Sequence, residues 1–430
     1  MTDRRIAQRQ SASSHTEETA WFDSCTAYQN SPHILFLSHC VPYPPDKGER
    51  IRAYHDLQRL ASMGRVHVAC MAQTRQEAAA AEQLRAVLPD TPGAGCASLY
   101  VERLEPRWAL ARAAARFAAG ACLTESYFGA PGLRRHVASL ARVDVTVAYS
   151  SAMAQYARAD VPLVMDMVDV DSEKWMQYAA LRRPGLAYAM EARRLRRVEA
   201  ACARRARAVI LTTRNEAGVL QGFAPDARVV TMENGVDFDY FDPDRAPSTA
   251  AQRFPRMVFV GAMDYFPNAD GIRRFAMEVF PQVRRECEGL ELVIVGRNPT
   301  RAVRQLASAP GVVVTGGVPD VRPYLAEALA VVAPLDIARG IQNKVLEALA
   351  MGKRVLASPA VARTFGALPQ GVLCCREAQD YAAGLRQAAA GWPYEPAIRQ
   401  AARARFTWSR NLDALSGEVE PAMPALELVT

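Results

Sequence analysis

No uninterrupted apolar run of about 18 residues occurs in this sequence of 430 residues, so we expect no transmembrane helix. The nine cysteines are scattered without a C-x-x-C pair, and the six histidines show no metal-ligand spacing. These absences argue against a zinc site and a disulfide framework, and they favour a reducing cytoplasm and no bound metal. The sequence also lacks a G-x-G-x-x-G after an apolar strand and a P-loop lysine motif. Neither a dinucleotide-dependent oxidoreductase nor an NTPase is therefore supported.

What the sequence does contain is typical of a globular protein with more than one domain. Half of its residues are hydrophobic and 23% are charged, and its length suggests two domains that can each fold. The net charge of +7 favours anionic partners without naming one. The first thirty residues are polar and lack the apolar core of a signal peptide. We expect residues 1–31 to form a disordered extension and the protein to be cytoplasmic.

Short β-type runs alternate with helical patterns along the chain, which indicates parallel α/β sheets. In the first half, strands are predicted over residues 34–37, 66–71, 143–148, 163–165 and 208–211. In the second half, they are predicted over residues 257–260, 290–295, 312–315, 331–333, 355–357 and 372–374. Helices are predicted over residues 51–63, 77–88, 269–279, 301–307 and 342–350. Ligands bind beyond the carboxyl ends of strands in such sheets, so the loops there are the candidates for a site.

The break between the two halves follows Asn234. A turn-rich stretch begins there, and a strand starts a fresh α/β unit at Met257. We therefore predict two doubly wound, Rossmann-like domains that face each other across a cleft. The domains cover residues 32–236 and 256–405, with a linker at 237–255 and a final segment at 406–430.

The most informative stretch has the sequence RGIQNKVLE, residues 339–347. Gly340 can approach a ligand closely because it has no Cβ atom. The next residues open a helix whose free backbone N–H groups and positive dipole end attract anions. Lys344 and Glu347 are three residues apart and share a face of that helix. A cation for phosphate and a carboxylate for sugar hydroxyls on one helix predict a nucleotide-sugar site.

The first predicted strand runs into a proline-rich loop, HCVPYPPDKGERIR at residues 39–52. Prolines stiffen this loop, and Gly48 lets the backbone turn into the next helix. The loop is either an acceptor or phosphate loop at the inner cleft or a simple proline-rich turn. Within it, His39 is a candidate binding or catalytic residue.

An acidic cluster, DMVDVD at residues 166–171, directly follows a strand, and three interpretations are open. Asp166 and Asp169 could hydrogen-bond acceptor hydroxyls. The cluster could instead hold a divalent ion, as in metal-dependent sugar transferases with a single-sheet fold, although no nucleotide-binding half precedes it. The third interpretation is that Asp171 or Ser172 caps the following helix.

An arginine-rich helical stretch runs from Arg193 to Arg207, with Leu195, Val198 and Cys202 as its apolar stripe. Such a basic amphipathic helix can rest on anionic lipid. A solvated helix with ion pairs is the alternative. Nucleic-acid binding is not expected, because no aromatic residues interleave with the arginines.

Two loops of the second half converge on the same cleft. Gly261 follows the first strand there and permits close backbone approach, and Asn268 or Asp270 can cap the next helix. Arg297 follows the next strand and offers a second cation. Each signal is weak alone, and their convergence on residues 339–347 supports a single site.

Three motifs together resemble glycosyltransferase family 4, whose members are retaining enzymes of the GT-B fold. They are NGVDFDYF from Asn234, G-x-x-x-K-x-x-E-A-L-A-x-G-K from Gly340 and FTWS from Phe406. Three segments resemble, more narrowly, the transferases tied to exosortase/PEP-CTERM exopolysaccharide systems: YPPDKGERIR, DMVDVDSEKW and RGIQNKVLE. The resemblance spans residues 32–415, nearly the whole chain.

The resemblance implies that the second domain binds a UDP- or GDP-sugar and the first domain a lipid-linked or glycan acceptor. It also implies that the last helix crosses back to the first domain and that no metal or other cofactor is needed. Glu347 would contact the ribose hydroxyls. Lys344 or Arg297 would face the diphosphate as catalytic cations, and Arg339 is a further candidate catalytic cation that the resemblance does not supply. The donor site would also include Gly261, Gly340, Gln342 and Asn343, and the acceptor side would include His39, Gly48, Asp166 and Asp169.

Position 339 departs from the family pattern. The family places a second glutamate eight residues before Glu347, facing the donor sugar, and this chain has Arg339 there. Arg339 would then serve the phosphates or recognise an acidic or differently oriented sugar. Two other functions stay open: a sugar-nucleotide epimerase on the same scaffold, and a catalytically silent GT-B scaffold of a polysaccharide assembly complex.

Overall fold

The computed structural model describes residues 31–91, 93–181, 183–247 and 255–423. The expected disordered extension lies outside the described residues, apart from its last residue. Residues 248–254 of the expected linker and residues 424–430 also lie outside the described residues.

Within the described residues, eight strands form the first sheet in the order β3-β4-β2-β1-β5-β6-β7-β8. They are β1 (His33–Ser38), β2 (Arg65–Ala72), β3 (Asp90–Thr91), β4 (Ala94–Arg103), β5 (Val145–Tyr149), β6 (Leu163–Val168), β7 (Ala208–Leu211) and β8 (Val229–Thr231). All neighbours pair in parallel except β3 with β4. Successive residues of β1 belong to different clusters: Ile34 and Phe36 to one, Leu35 and Leu37 to the other. The sheet is therefore covered on both faces, as its continuous apolar strands require.

The helices of the first domain connect these strands. They are α1 (Gly48–Met63), α2 (Arg75–Val87), α3 (Pro106–Ala118), α4 (Leu123–Tyr127), α5 (Pro131–Ser139), α6 (Asp171–Leu181), α7 (Gly185–Arg205) and α8 (Arg214–Gln221). Local sequence explains several starts: Thr74 and Glu77 form a capping box at α2, and a proline occupies the first turn of α3 and α5. No helix in the described part of the chain is both long and apolar enough to span a bilayer.

The second sheet has six parallel strands among the described residues, in the order β11-β10-β9-β12-β13-β14. They are β9 (Arg256–Val260), β10 (Glu291–Val295), β11 (Val312–Gly316), β12 (Ala330–Ala333), β13 (Val355–Ala357) and β14 (Val372–Cys374). Its helices are α9 (Phe266–Arg274), α10 (Phe280–Glu286), α11 (Arg301–Gln305), α12 (Arg322–Glu327), α13 (Asn343–Ala350), α14 (Pro359–Ala362), α15 (Ala378–Ala390) and α16 (Pro396–Phe406). The α13 helix is fixed on the sheet by Val345, Leu346 and Leu349, all fully buried.

The chain then returns to the first domain through α17 (Trp408–Asn411) and α18 (Asp413–Val419). A β-bridge joins Val236 to Thr407 at the crossing point. Trp408, Leu415 and Val419 belong to the same apolar cluster as the interior of the first sheet. The Arg228 guanidinium also donates to the Glu418 carboxylate over 2.6 Å. The crossing back that the resemblance implied is therefore present.

All eleven predicted strands are present, with ends that differ by a few residues. Strands β3, β4 and β8 are not among the predicted strands. A continuous helix is predicted over 269–279, whereas the structure has α9 followed by a π-helical turn, Phe275–Val279.

Candidate functional site

Two helix N-termini from different domains meet in the cleft. A Cβ atom placed on Gly48, the first residue of α1, would lie 3.5 Å from Nδ2 of Asn343, the first residue of α13. The residues preceding these helices, Lys47 and Gln342, make no side-chain capping hydrogen bond. Both helix starts thus have backbone N–H groups available, and both carry a positive dipole end. Their junction therefore offers backbone N–H donors between the domains, which suit an anion.

The Lys344 side chain is buried behind the start of α13. Its Nζ atom donates to Oδ1 of Asn268 over 2.6 Å and lies 4.5 Å from the centre of the Phe259 ring. Gly261 leaves room for this arrangement, because a Cβ atom there would lie 3.3 Å from Nζ and 2.8 Å from Nδ2 of Asn268. Burial lowers the pKa of Lys344 to about 7, against the opposing effect of the Glu347 charge. An incoming diphosphate would raise that pKa again and keep the ammonium charged.

Glu347 lies one helical turn after Lys344 on α13. Burial raises the pKa of its carboxyl to about 7, although Lys344 acts in the opposite direction. Among the described residues, no side chain or backbone group hydrogen-bonds to this carboxylate. A half-buried carboxylate with free acceptor positions suits a pair of sugar hydroxyls.

Arg297 contacts the first domain in this structure. Its Nη1 lies 2.6 Å from Oδ2 of Asp46, and its Nη2 donates to the Asp46 carbonyl over 2.8 Å. Arg50 also donates to the Asp46 carboxylate, over 3.0 Å. Burial alone would raise the pKa of Asp46, but the hydrogen bonds and charges of Arg297 and Arg50 lower it. Arg297 therefore joins the second domain to the loop before α1 in this structure.

Arg339 also crosses to the first domain, where it forms an ion pair with Glu216 of α8 at 2.7 Å. Glu216 is buried and also accepts from the Val170 backbone N–H over 2.8 Å. The next residue, Gly340, has φ 60°, and a Cβ atom there would lie 2.3 Å from Oδ1 of Asp169. Only glycine allows this approach of the two domains.

The remaining predicted donor-site residues are anchored locally. Nε2 of Gln342 donates to the Arg339 carbonyl over 3.2 Å, which tightens the turn into α13. Oδ1 of Asn343 accepts from Nδ2 of Asn234 over 3.0 Å. Asn234 in turn accepts from Arg52 over 2.8 Å, so a buried chain of hydrogen bonds connects the first domain to the start of α13.

On the acceptor side, Asp166 does not reach the cleft surface. It is fully buried, and the Arg52 guanidinium donates to both of its oxygens, over 2.6 and 3.1 Å. The expected contact with acceptor hydroxyls is therefore incompatible with its position in this structure. Val168, two residues on, has φ 65°, a strained conformation for a β-branched residue, and its N–H also donates to Asp166.

The other two predicted acceptor-side residues, Asp169 and His39, lie in different surroundings. Asp169 contacts Gly340 and accepts from Thr212 Oγ1 over 2.7 Å, and burial raises the pKa of its carboxyl. The His39 ring is parallel to Tyr149, with 5.5 Å between the ring centres, and it lies 3.7 Å from the Glu49 carboxylate. The structure thus brings Gly48 and Asp169 to the donor segment, whereas His39 lies among aromatic side chains of the first domain.

A polar cavity of about 110 Å³ lies between the domains beside Arg339 and Gly340. Its other charged lining residues are Glu216, Asp336 and Arg363. Arg339 and Gly340 therefore border an open space that a polar group can enter.

Three partners were missed by the sequence analysis: Asn268 for Lys344, Glu216 for Arg339, and Arg52 for Asp166. The expectation that Asn268 or Asp270 caps helix α9 is wrong, because both residues lie inside it. Helix α9 begins at Phe266, and Asn268 lies inside it, donating to the Ala262 carbonyl. At the start of helix α6, Glu199 of α7 accepts from the Ser172 N–H over 3.0 Å, so a side chain from another helix acts as the cap.

Comparison with known proteins gives a family match within the second domain and similar folds among solved structures. Residues 254–390 match the family model described as Glycosyl transferases group 1, which supports a glycosyltransferase. No curated protein matches the chain. Among solved structures, the chain is similar to sucrose-phosphate synthase (tll1590) from Thermosynechococcus elongatus. The TM-score is 0.64 and the identity 15%, over 91% of this chain and 98% of that one.

Two further structures are similar along most of their length. Anabaena Alr3699/HepE, solved in complex with UDP, has a TM-score of 0.62 and 14% identity, over 90% of this chain and 100% of that one. WaaG, a glycosyltransferase involved in lipopolysaccharide biosynthesis, has a TM-score of 0.56 and 16% identity, over 90% and 98%. At such identities the similarity concerns the fold alone: two α/β domains in the GT-B arrangement, as predicted.

Proposed function

We propose that the protein is a retaining, metal-independent glycosyltransferase of family 4 that acts in exopolysaccharide biosynthesis. It would transfer a sugar from a UDP- or GDP-sugar to a lipid-linked or glycan acceptor. The observation that carries the proposal is the position of Lys344 and Glu347 on α13, at the junction of two helix N-termini from opposite domains. The group 1 match of residues 254–390, which include this helix, supports it.

In this proposal the chemistry is departure of the nucleoside diphosphate. The junction of α1 and α13 holds the diphosphate through backbone N–H groups, and Lys344 compensates the negative charge that grows on the leaving group. Because these groups are fixed before the donor binds, little reorganisation is needed in the transition state. Glu347 binds the ribose hydroxyls and orients the nucleotide.

Arg297 and Arg339 have different roles in the proposal. Arg297 exchanges its partner Asp46 for the diphosphate when the donor enters, which couples donor binding to the contact between the domains. Arg339 is held by Glu216, so the pair presents both a cation and a carboxylate where family members have a glutamate. This pair borders the cavity beside Gly340, and we propose that it contacts the donor sugar.

A nucleotide sugar as donor is also supported by a structural neighbour. Anabaena Alr3699/HepE has been solved with UDP, with UDP and glucose, and with UDP-glucose. We extend the class of ligand, not the particular sugar, to this chain. We further propose a cytoplasmic protein whose Arg193 to Arg207 helix makes peripheral contact with anionic lipid on the inner face of the membrane, as suits a lipid-linked acceptor.

The test is turnover of nucleotide sugars by the full-length protein. Incubation with UDP- and GDP-sugars should release UDP or GDP, slowly without acceptor and faster with a lipid-linked acceptor. Lys344→Ala should abolish this release, and full activity in Lys344→Ala would contradict the role of the lysine. Conversion of the donor sugar into its epimer, with no nucleotide released, would instead identify an epimerase. Failure to bind either nucleotide would indicate a silent scaffold.

A further inference from the structure

Asp56, on the inner face of α1, is a fully buried acid that the candidate site does not use. Both of its carboxyl oxygens are enclosed by protein, and no donor among the described residues reaches either of them. An ionised carboxylate in this position would lose its hydration without gaining a hydrogen bond, which is strongly unfavourable. The surroundings of Asp56 therefore favour a neutral carboxyl group.

A second acid and one cation lie beside Asp56. Arg52 precedes it by one helical turn on α1, so the two side chains share a face of the helix. Asp166 of β6 lies within hydrogen-bond reach of the Asp56 carboxyl group. Each of the three residues is at most 1% exposed. Two carboxyl groups thus share one guanidinium, and only one of them can ionise without leaving a net charge in the interior.

The hydrogen bonds identify Asp166 as the ionised acid of the pair. Arg52 donates to both of its oxygens, and the Val168 backbone N–H donates to Oδ1. Because a carboxylate offers about four acceptor positions, these three bonds leave one position free. The O–H group of a protonated Asp56 fills that position. A carboxylic acid that donates to a carboxylate forms one of the stronger hydrogen bonds in proteins.

The charged groups around Asp56 favour its protonated form. Burial and the charge of Asp166 raise the pKa of Asp56 well above its usual value, and Arg52 is the one cation that opposes them among the described groups acting on Asp56. From the neighbouring strand β5, the buried Tyr149 lies opposite Asp166, and its hydroxyl donates to the Glu49 carbonyl. No element of the described interior thus brings a second cation to this acid.

The guanidinium of Arg52 connects the acid pair to the start of α13. Its Nη1 atom donates to Oδ1 of Asn234 over 2.8 Å, and Nδ2 of Asn234 donates to Oδ1 of Asn343 over 3.0 Å. Asn343 is the first residue of α13, the helix of the candidate site. Because a guanidinium is a rigid planar fork, a rotation at its Asp166 edge also displaces its Nη1 edge.

We propose that Asp56 is a positioning residue of the candidate site: its protonated carboxyl group donates to Asp166 and thereby fixes the Arg52 fork that holds Asn234 against α13. Asp56 does not contact the substrate, and its proton stays in place throughout the reaction. The inference rests on the proposed function only in its last step, where the position of α13 affects nucleotide binding.

The first test compares the pH dependence of unfolding between the wild type and Asp56→Asn. The asparagine amide donates to Asp166 as the protonated acid does, but it does not titrate. Above the usual aspartate pKa of about 3.9, the unfolded wild type releases a proton that the folded protein keeps, so its stability relative to Asp56→Asn should fall as the pH rises. The ratio of the two unfolding constants should change by up to about tenfold per pH unit from about pH 5 upward, until Asp56 titrates in the folded protein.

Infrared spectroscopy at neutral pH detects the protonated acid directly. A carboxylic acid has a carbonyl band separate from the bands of carboxylates and amides. The wild-type spectrum minus that of Asp56→Asn should contain this band. The matched control is Asp226→Asn, at an exposed position of the same domain. Its difference spectrum should lack the band, and its stability ratio should stay constant above pH 5.

Calorimetric titration of UDP and GDP tests the positioning role. Asp56→Ala removes the O–H donor and should weaken nucleotide binding about two- to tenfold, as for one lost hydrogen bond, whereas Asp56→Asn should bind like the wild type. Asp56→Val, which fills the space of the carboxyl group with apolar atoms, is the second variant for the same comparison. Asn234→Ala breaks the same chain, so Asp56→Ala/Asn234→Ala should lose less affinity than the product of the two single losses.

Two kinds of result would overturn the inference. A stability ratio that does not change with pH, or a difference spectrum without the acid band, contradicts the protonated Asp56. Wild-type nucleotide affinity in Asp56→Ala and Asp56→Val, or independent losses in the double variant, contradicts the positioning role. A wild type that binds neither nucleotide contradicts the proposed function instead, because the stability ratio and the infrared band still report on the acid pair.

Discussion

The protein contains two cation–carboxylate arrangements, one buried and one half-buried, and they differ in how completely the charges are satisfied. In the first domain, the Arg52 guanidinium donates to both oxygens of Asp166, to the Met232 carbonyl and to Asn234. In the second domain, Lys344 has one hydrogen-bond acceptor, Asn268, and the described residues offer no hydrogen bond to Glu347. A saturated pair holds structure together, whereas an unsaturated pair is available to a ligand.

The pKa values of the groups in the two arrangements differ in the same way. Burial would lower the pKa of Arg52, but Asp166 and Asp56 raise it above its usual value. Burial instead brings the pKa values of both Lys344 and Glu347 to about 7. Uncompensated desolvation of this kind is characteristic of binding and catalytic sites.

The largest effect is expected for Arg52→Leu, which should lower the free energy of unfolding by about 3–5 kcal/mol because it leaves buried carboxyls without their cation. Urea unfolding followed by tryptophan fluorescence measures this. The double variant Arg52→Leu/Asp166→Leu should recover part of the loss. Wild-type stability of the single variant would show that the Arg52 pair is not structural.

Lys344→Met should lower turnover without lowering stability, in contrast to Arg52→Leu. Stability should stay the same or rise, because a buried ammonium is removed, while turnover falls about 10²–10³-fold through the lost stabilisation of the diphosphate. Steady-state release of nucleotide measures the rate, and thermal unfolding measures the stability. Arg285→Met, at an exposed position of the same domain, is the control and should change neither.

Glu347→Gln should weaken nucleotide affinity about ten- to a hundredfold, since hydrogen bonds to a charged group contribute about 1.5–3 kcal/mol. The effect should disappear with a nucleotide that lacks the ribose hydroxyls, such as a dideoxy analogue. Calorimetric titration gives both affinities. An equal loss for the dideoxy analogue would mean that the carboxylate acts on another part of the ligand.

The lowered pKa of Lys344 predicts a pH dependence of stability. Between pH 7 and the usual lysine value, the unfolded chain binds a proton that the folded protein lacks, so stability rises with pH in this window. Lys353 has a similarly lowered pKa, so the wild type must be compared with Lys344→Met. Within this window, the variant's rise should be smaller by up to about 1.4 kcal/mol for each pH unit, the free energy that corresponds to one pKa unit. Identical pH profiles would contradict burial of an ammonium.

The smallest effect is expected for Asp46→Asn, which releases Arg297 from the first domain. Because partly exposed ion pairs contribute about 0–1 kcal/mol, nucleotide affinity should rise by no more than about fivefold. Titration of Asp46→Asn and of Asp264→Asn as a control measures this. Weaker binding in Asp46→Asn would show that the bridge closes the cleft rather than competing with the ligand.

The sequence predicted the elements that have a strong local signal. Strand β7, for example, was predicted at its observed bounds because four apolar residues lie between helical patterns. Strand β4 was missed because AGCASLYVER mixes small, polar and apolar residues without alternation. Its order comes from pairing with β2, which is a property of the sheet and not of the segment.

The residues of the candidate site likewise differ in whether a local sequence pattern reveals them. The spacing of Lys344 and Glu347 and the glycine at 340 were visible locally, so the donor segment could be predicted. Asn268 and Glu216 are 76 and 123 residues away from Lys344 and Arg339, and no local pattern connects them. Asp166 looked like a cleft residue because it follows the predicted strand over 163–165. The observed β6 continues to Val168, and Arg52 of α1 pairs with Asp166 in the interior. The burial of a site side chain, and the pKa shift that burial causes, depend on such distant partners.

Calorimetric titration of UDP and GDP into the wild type and Lys344→Met tests the central claim most directly, because the claim is that the unsaturated pair on α13 is a nucleotide-diphosphate site. One of the two nucleotides should bind the wild type at a single site, with uptake of a proton above pH 7. Lys344→Met should bind it at least about tenfold more weakly, as expected for loss of a charged contact. No binding of either nucleotide, or equal affinity in the two proteins, would contradict the account.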